Sequence, residues 1–271
     1  MVIRIFNTAS LSEDTLRTWK KDLEALKKLN NPHVEKIYGF CTENYTFAVV
    51  TEYLENRSVF DVLRSGKNLS WDTKKLIAEE AAKGMEFLYQ VPITHGSVKS
   101  TNILVFGFLF LFLFLFFFFF FFFFALGLIP SIVVQLDKDF HAKVSGYGSQ
   151  QVKMEVVIRS SGAFAVGNLR WCSPELLEGE AACEKSDIYS YGMVLHELAT
   201  KEVPFHNLAN DYAIVLKIQN GFTPEVAEEV PADFLFAIKK CLQQDPKKRP
   251  SFHSIVLKDL EVSFFFFFFL S

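Results

Sequence analysis

No charged residue lies between Thr101 and Leu136, and within that interval Phe116 to Phe124 is an unbroken run of phenylalanine. Such a stretch admits few folds. Residues 105–129 are long and apolar enough to span a bilayer, whereas a compact domain rarely tolerates a long insertion with no structure of its own. The remainder of the chain has a different character. It totals 271 residues with a net charge of −3, acids and bases being mixed along it, which suits one large domain or two lobes. That balance gives no electrostatic case for nucleic acid or an anionic membrane as partner. The 4 cysteines are scattered without a C-x-x-C and predict reduced thiols of an intracellular protein. The 6 histidines have no metal-ligating spacing. Met1 to Phe6 is too short for the apolar core of a secretory signal. A cytoplasmic location is expected, with a membrane location through residues 105–129 as the alternative.

Periodicity places the first elements. Met1 to Phe6 alternates as a strand. Leu16, Trp19, Leu23, Leu26 and Leu29 fall at three- and four-residue steps and predict a helix over 16–29. Asn31-Pro32-His33-Val34 ends that helix and opens the next strand. Trp19, Trp171, Tyr189 and Phe205 are expected in the core.

Two further stretches bear on chemistry. His95-Gly96-Ser97-Val98-Lys99-Ser100-Thr101-Asn102 resembles the H-R-D-L-x-x-x-N catalytic loop of protein kinases, and Lys143-Val144-Ser145-Gly146-Tyr147-Gly148 resembles their D-F-G motif. The segment Val166 to Glu175 is similar to the G-T-x-R-W-x-A-P-E end of an activation loop. Asp187-Ile188-Tyr189-Ser190-Tyr191-Gly192 and Asp245-Pro246-Lys247-Lys248-Arg249-Pro250-Ser251 resemble the D-x-[WY]-S-[FY]-G and D-P-x-x-R-P-[ST] elements. These matches run in order over nearly the whole chain. They resemble the tyrosine-kinase-like group of the protein kinase superfamily and, within it, the mixed-lineage kinase domain-like pseudokinases of necroptosis.

The resemblance implies an α+β, two-lobed protein-kinase-like fold over residues 1–262, with a helical C-lobe from residue 54. The N-lobe is expected to be truncated, its first strands and Gly-rich loop missing upstream of a fragment or incomplete gene model. The strand at its start would then present an unpaired apolar edge that favours association, including a homo-oligomer. In such kinases the loop Asp accepts the proton of the attacking hydroxyl and the D-F-G Asp holds Mg²⁺. Here Ser97 and Gly146 replace them, so no metal site is expected and His95, Ser97, Lys99 and Asn102 form a degenerate loop. Asn102 is expected either to hold a metal weakly or to bond the loop backbone. Arg4 stands at the lysine position with Asp22 as its expected helix partner. Arg4, Thr51, Glu52, Tyr53, Leu54, Lys99 and Asn102 would form a weak ATP site independent of Mg²⁺. Asp22, Glu175, Asp187 and Arg249 are expected to be structural, the buried pair Glu175–Arg249 among them. Ser160 and Ser161 are the expected regulatory sites for an upstream kinase of the receptor-interacting type, with Arg159, Arg170 or Lys153 receiving the phosphate.

That resemblance bears back on the phenylalanine tract. Joining Asn102-Ile103-Leu104 to Leu136-Asp137-Lys138-Asp139-Phe140 restores one uninterrupted hairpin on the floor of the cleft, where a membrane span would tear the lobe from its own site. Phenylalanine codons are pyrimidine-rich, as is the stretch before a splice acceptor. Val105 and Gln135 sit where donor and acceptor codons would fall, and Val262-Ser263 before Phe264 to Phe269 repeats the pattern. Residues 105–135 and the tail 263–271 are therefore expected to be translated introns. The function expected is a pseudokinase switch in necroptosis-like signalling whose effector region lies elsewhere; the alternative is an active or weakly active ATP-dependent Ser/Thr or Tyr kinase.

Overall fold

The computed structural model describes residues 1–7, 12–43, 46–106, 140–147, 169–226 and 229–256. Its first part is a three-stranded antiparallel sheet, β1 (Val2–Asn7), β2 (Ile37–Glu43) and β3 (Thr46–Thr51), in the order β1-β3-β2. The register sets Arg4 opposite Val49 and Val2 opposite Thr51. Among the described residues β1 pairs on one side only, and Ile3 and Ile5 are 62% and 70% exposed.

Helix α1 (Glu13–Leu26) packs on this sheet. It begins three residues before the periodicity suggested, because Ser12 caps it: the hydroxyl accepts the Thr15 N–H, and Glu13 and Asp14 meet the positive end of the helix dipole. It also ends earlier. Leu29 lies beyond it in a tight turn, its N–H on the Leu26 carbonyl at 3.0 Å. The buried face is Trp19, Leu23 and Leu26, and the Trp19 ring stacks on Phe47 of β3 with centroids 4.0 Å apart.

The larger, helical part is built on α3 (Trp71–Gln90) and α5 (Glu184–Thr200), with the short helices α2 (Val59–Arg64) and α4 (Pro174–Leu177) and the outer helices α6 (Asp211–Gln219) and α7 (Ala232–Cys241) around them. Every residue of α5 from Ser186 to Leu198 is buried. A helix buried on every side is a central element of the fold. Tyr191 ties it to α3 by donating to the Ala78 carbonyl at 2.8 Å. Trp171, Tyr189 and Phe205 are buried, as is Trp19.

A two-stranded hairpin, β4 (Ile103–Phe106) and β5 (His141–Val144), lies where the two parts meet. Val144 donates to the His33 carbonyl and Glu35 to the Val144 carbonyl, both at 2.8 Å, strapping the sheet to this hairpin. The strap also passes Gly84 of α3, where a Cβ would lie 2.3 Å from the His33 oxygen, so the approach requires glycine. Among the described residues no helix is long and apolar enough to cross a membrane; residues 107–139 of the apolar tract lie outside them.

The hairpin register carries a prediction. Val105 pairs with Ala142 and Phe106 with His141. Deleting residues 105–135 places Leu136 and Asp137 opposite those partners, keeping an apolar residue at the buried Val105 position. The expected outcome is an unchanged far-UV circular dichroism spectrum and a Tm within about 4 °C of the full chain, equivalent to ~1 kcal/mol. Loss of the cooperative transition would show that the tract belongs to the fold.

Candidate functional site

The cleft between the sheet and the helical part gathers most of the residues singled out from the sequence. The stretch from His95 to Asn102 is held from beneath by Asp187, in the first turn of α5. One carboxylate oxygen accepts the His95 N–H at 3.0 Å and the Tyr89 hydroxyl at 2.6 Å, and both oxygens accept the Gly96 N–H. Burial pushes this carboxyl up to about 6, against the pull of those donors. His95 is 1% exposed. Its Nε2 lies 2.9 Å from the Ser145 carbonyl, which can only accept, so Nε2 carries the proton and Nδ1 accepts the Ser97 N–H at 3.2 Å. The imidazole therefore joins two loops as a structural bridge.

Asn102 and Gly146 face each other. Asn102 turns its amide back on the loop and donates to the Ser97 carbonyl at 2.8 Å, which is the backbone role among the two expected for it. Gly146 has φ 76°, and a Cβ built there would meet the Asn102 side chain at 3.0 Å. A side chain at 146 would thus point at Asn102, and glycine supplies none. Among the described residues no three His, Cys, Asp or Glu side chains converge as a cation site. Lys99 is half-buried, and desolvation lowers its pKa.

Arg4 corrects one expectation. Its partner is not Asp22 but Glu35, with Nη2 to Oε1 at 2.7 Å, and the Glu35 side chain is 1% exposed. A carboxylate so far from water requires a cation beside it, whereas Asp22 is half-buried at the flank of the α1 face and retains solvent. Desolvation raises the Glu35 pKa, opposed by Arg4 and the Thr51 hydroxyl. Tyr147 donates to the Glu35 carbonyl at 2.6 Å. These groups bound a cavity of ≈ 220 Å³ behind Thr51, between α1, the sheet and Gly146.

At the end of β3 the Glu52 carboxylate accepts from the Lys36 N–H at 2.7 Å and from Lys143 Nζ at 2.8 and 2.9 Å. Its own N–H bonds the Lys36 carbonyl. Tyr53 is exposed and Leu54 buried. Glu175 and Arg249 form a two-pronged pair at 2.6 and 2.9 Å. Burial acts to raise the Glu175 pKa, but the Arg249 bonds dominate and lower it. Arg170 does not face a phosphate: its guanidinium is spent on the carbonyls of Pro204, Phe205 and Leu208. Ser160, Ser161, Arg159 and Lys153 lie outside the described residues.

Sequence reasoning missed Glu35 and Glu197. Glu197, on the buried α5, accepts from Ser100 Oγ at 2.9 Å and Trp171 Nε1 at 2.8 Å, joining the loop to the segment before Pro174. An acid flanked by Val194, Leu195 and Leu198 was the available signal.

Two predictions follow from this geometry. Burial pushes the Glu197 carboxyl up to about 7. A carboxyl raised on folding binds its proton more tightly in the folded state, so stability is full below its ordinary pKa and falls as pH rises to about 7. In thermal melts the Glu197 carboxyl should contribute a loss of about 1.4 kcal/mol per pH unit across that window, added below about pH 6 to the loss from the raised Asp187 carboxyl, and Glu197→Gln should reduce the slope. Second, Gly146→Asp should cost about 1–2 kcal/mol in denaturant titrations, because its left-handed backbone disfavours a side chain.

The sequence comparisons agree with the architecture. A family model described as protein tyrosine and serine/threonine kinase matches residues 1–258. The serine/threonine-protein kinase STY17 of Arabidopsis thaliana is 26% identical over 94% of this chain and 39% of its own length. A probable serine/threonine-protein kinase of Dictyostelium discoideum is 32% identical over 92% of this chain and 21% of its own. The serine/threonine-protein kinase CTR1 of Arabidopsis thaliana is 28% identical over 94% of this chain and 28% of its own. The chain thus spans well under half the length of these relatives.

Proposed function

The chain belongs to the protein tyrosine and serine/threonine kinase family, and from that premise we propose that it acts as a pseudokinase, a switching module that receives a phosphorylation signal without transferring phosphate itself. The observation that carries this reading is the facing of Gly146 and Asn102: the first has no side chain to offer a metal, and the second gives its amide to Ser97. Mg²⁺ demands oxygen ligands in near-octahedral array, and this donor set does not fit it. At the other end of the reaction, Ser97 offers a hydroxyl that is not ionised near neutral pH and takes up a proton poorly. Phosphoryl transfer depends on positioning and electrostatic stabilisation, and both carboxylates that would supply it are replaced.

ATP binding on this reading is weak and independent of Mg²⁺. Arg4 is neutralised by Glu35, which leaves Lys99 as the cation nearest the loop, with the Thr51–Leu54 backbone for adenine. Regulation would fall on Ser160 and Ser161, phosphorylated by an upstream kinase of the receptor-interacting type. A phosphate there adds nearly two negative charges. Since Arg170 is bound to three carbonyls, the receiving cation comes from Arg159, Lys153 or another protein. A role in necroptosis-like signalling, through an effector region outside this chain, rests on the family resemblance of the degraded motifs.

A weakly active kinase is the second reading, favoured by the retained Lys99 and Asn102 and by relatives named as serine/threonine kinases. Transfer of radiolabelled phosphate from ATP to a generic protein substrate separates the two, with Mg²⁺ or Mn²⁺ present. The expected result is incorporation equal to that of Lys99→Ala. Incorporation well above that variant would establish the enzyme and overturn the pseudokinase.

A further inference from the structure

Far from the cleft, the outer face of α7 and the turn after it form a basic stripe with aromatic rings. Phe236, Lys239 and Lys240 lie at three- and four-residue steps on the solvent side of α7. Gln243 continues the line by donating to the Lys239 carbonyl at 2.9 Å. Gln244 joins it to the end of α6, donating to the Gln219 carbonyl at 3.4 Å, beside Lys217 and Phe222. Lys247 and Lys248 then stand exposed in the turn Pro246–Lys248. We propose that this face binds an acidic peptide segment in which carboxylates alternate with apolar side chains.

The charges call for an anion. Among the described residues Lys27, Lys75, Lys83 and Lys143 form ion pairs, whereas the five lysines of the stripe form none. The acids along it are engaged: Asp233 pairs with Lys75, and Asp245 accepts the Lys247 N–H at 2.9 Å. The rings call for apolar side chains between the anions. Phe222 and Phe236 are 53% and 50% exposed, and each carries an ammonium over its ring, Lys217 at 4.0 Å and Lys240 at 5.3 Å from the centroid. Those contacts hold the two ammoniums in place with N–H donors left for a carboxylate. They also occupy ring faces that stacked bases would need, and half-buried rings lie along the surface rather than projecting into a bilayer. Extent decides against the long polyanions as well. The chain carries a net charge of −3, so with positive charge gathered here the remaining surface is negative. It repels a nucleic acid or an anionic membrane that runs past the stripe, but not a short segment that ends within it. No nucleotide or phosphate transfer enters, so this site stands or falls apart from the pseudokinase reading.

The probe is a fluorescein-labelled nonapeptide of aspartate pairs alternating with leucine, titrated with the full chain and followed by fluorescence anisotropy. It is expected to bind saturably and to weaken as salt rises. A peptide of nine aspartates should bind at least fivefold more weakly. Lys239→Glu, Lys240→Glu, Lys247→Glu and Lys248→Glu together should weaken the leucine-bearing peptide at least tenfold with the wild-type circular dichroism retained. If that variant does not fold, Lys239→Gln with Lys240→Gln is decisive, with a loss of at least threefold expected. Phe236→Ser should weaken the leucine-bearing peptide and leave the aspartate peptide unchanged. Lys20→Glu with Lys21→Glu, exposed on α1, should leave binding within twofold. No saturable binding, equal binding of the aspartate peptide, undiminished binding in the α7 variants, an equal loss in the α1 variant, or tighter binding of phosphatidylserine vesicles or oligothymidylate would each overturn the proposal.

Discussion

The Asp187 carboxylate is the point from which the cleft hangs. It sits in the first turn of α5, where the helix dipole favours negative charge, and it gathers the backbone of His95 and Gly96 with the Tyr89 hydroxyl. His95 passes the restraint on to Ser145, and so to the end of β5. The links run through backbone groups, the Tyr89 hydroxyl and the His95 ring. Ser97 joins this frame through its backbone N–H on His95 Nδ1.

The sheet is coupled to this frame by one short strap. His33 and Glu35 exchange backbone bonds with Val144, and Tyr147 closes on the Glu35 carbonyl. The close pass of Gly84 beneath His33 fixes the depth of the junction. Glu35 therefore has two roles, its backbone in the strap and its side chain in the pair with Arg4. Burying a carboxylate there is costly unless it is paired, so the demand for a cation originates at Glu35 and Arg4 answers it. The strand bearing Arg4 is thereby bound to the strap through its side chain as well as through the sheet.

This explains what could be read from the sequence and what could not. The elements around Glu175, Asp187 and Arg249 were legible because unusual residues stand at fixed local offsets, and their partners are backbone groups or one another. The partner of Arg4 was not, since Asp22 and Glu35 are both acids near one end of α1 and only burial tells them apart. The start of α1 was missed because apolar periodicity begins at Leu16, while the helix is set by a cap at Ser12 that carries no apolar signal. The role of Glu197 was missed for a related reason: its two donors, Ser100 and Trp171, come from segments far apart in the chain.

Glu197 joins the loop of the cleft to the segment before Pro174. One buried carboxylate holds both the loop at Ser100 and the ring of Trp171, immediately after the stretch containing Ser160 and Ser161. Arg170, beside it, anchors the same segment to the Pro204–Leu208 turn. Any rearrangement that pulls on Leu169 to Trp171 therefore acts on α5, on the loop and on the turn before α6 together. Packed cores respond to such strain in discrete steps rather than by gradual deformation. A joint of this kind can convert a charge placed on a neighbouring segment into altered contacts at a surface, with no turnover required.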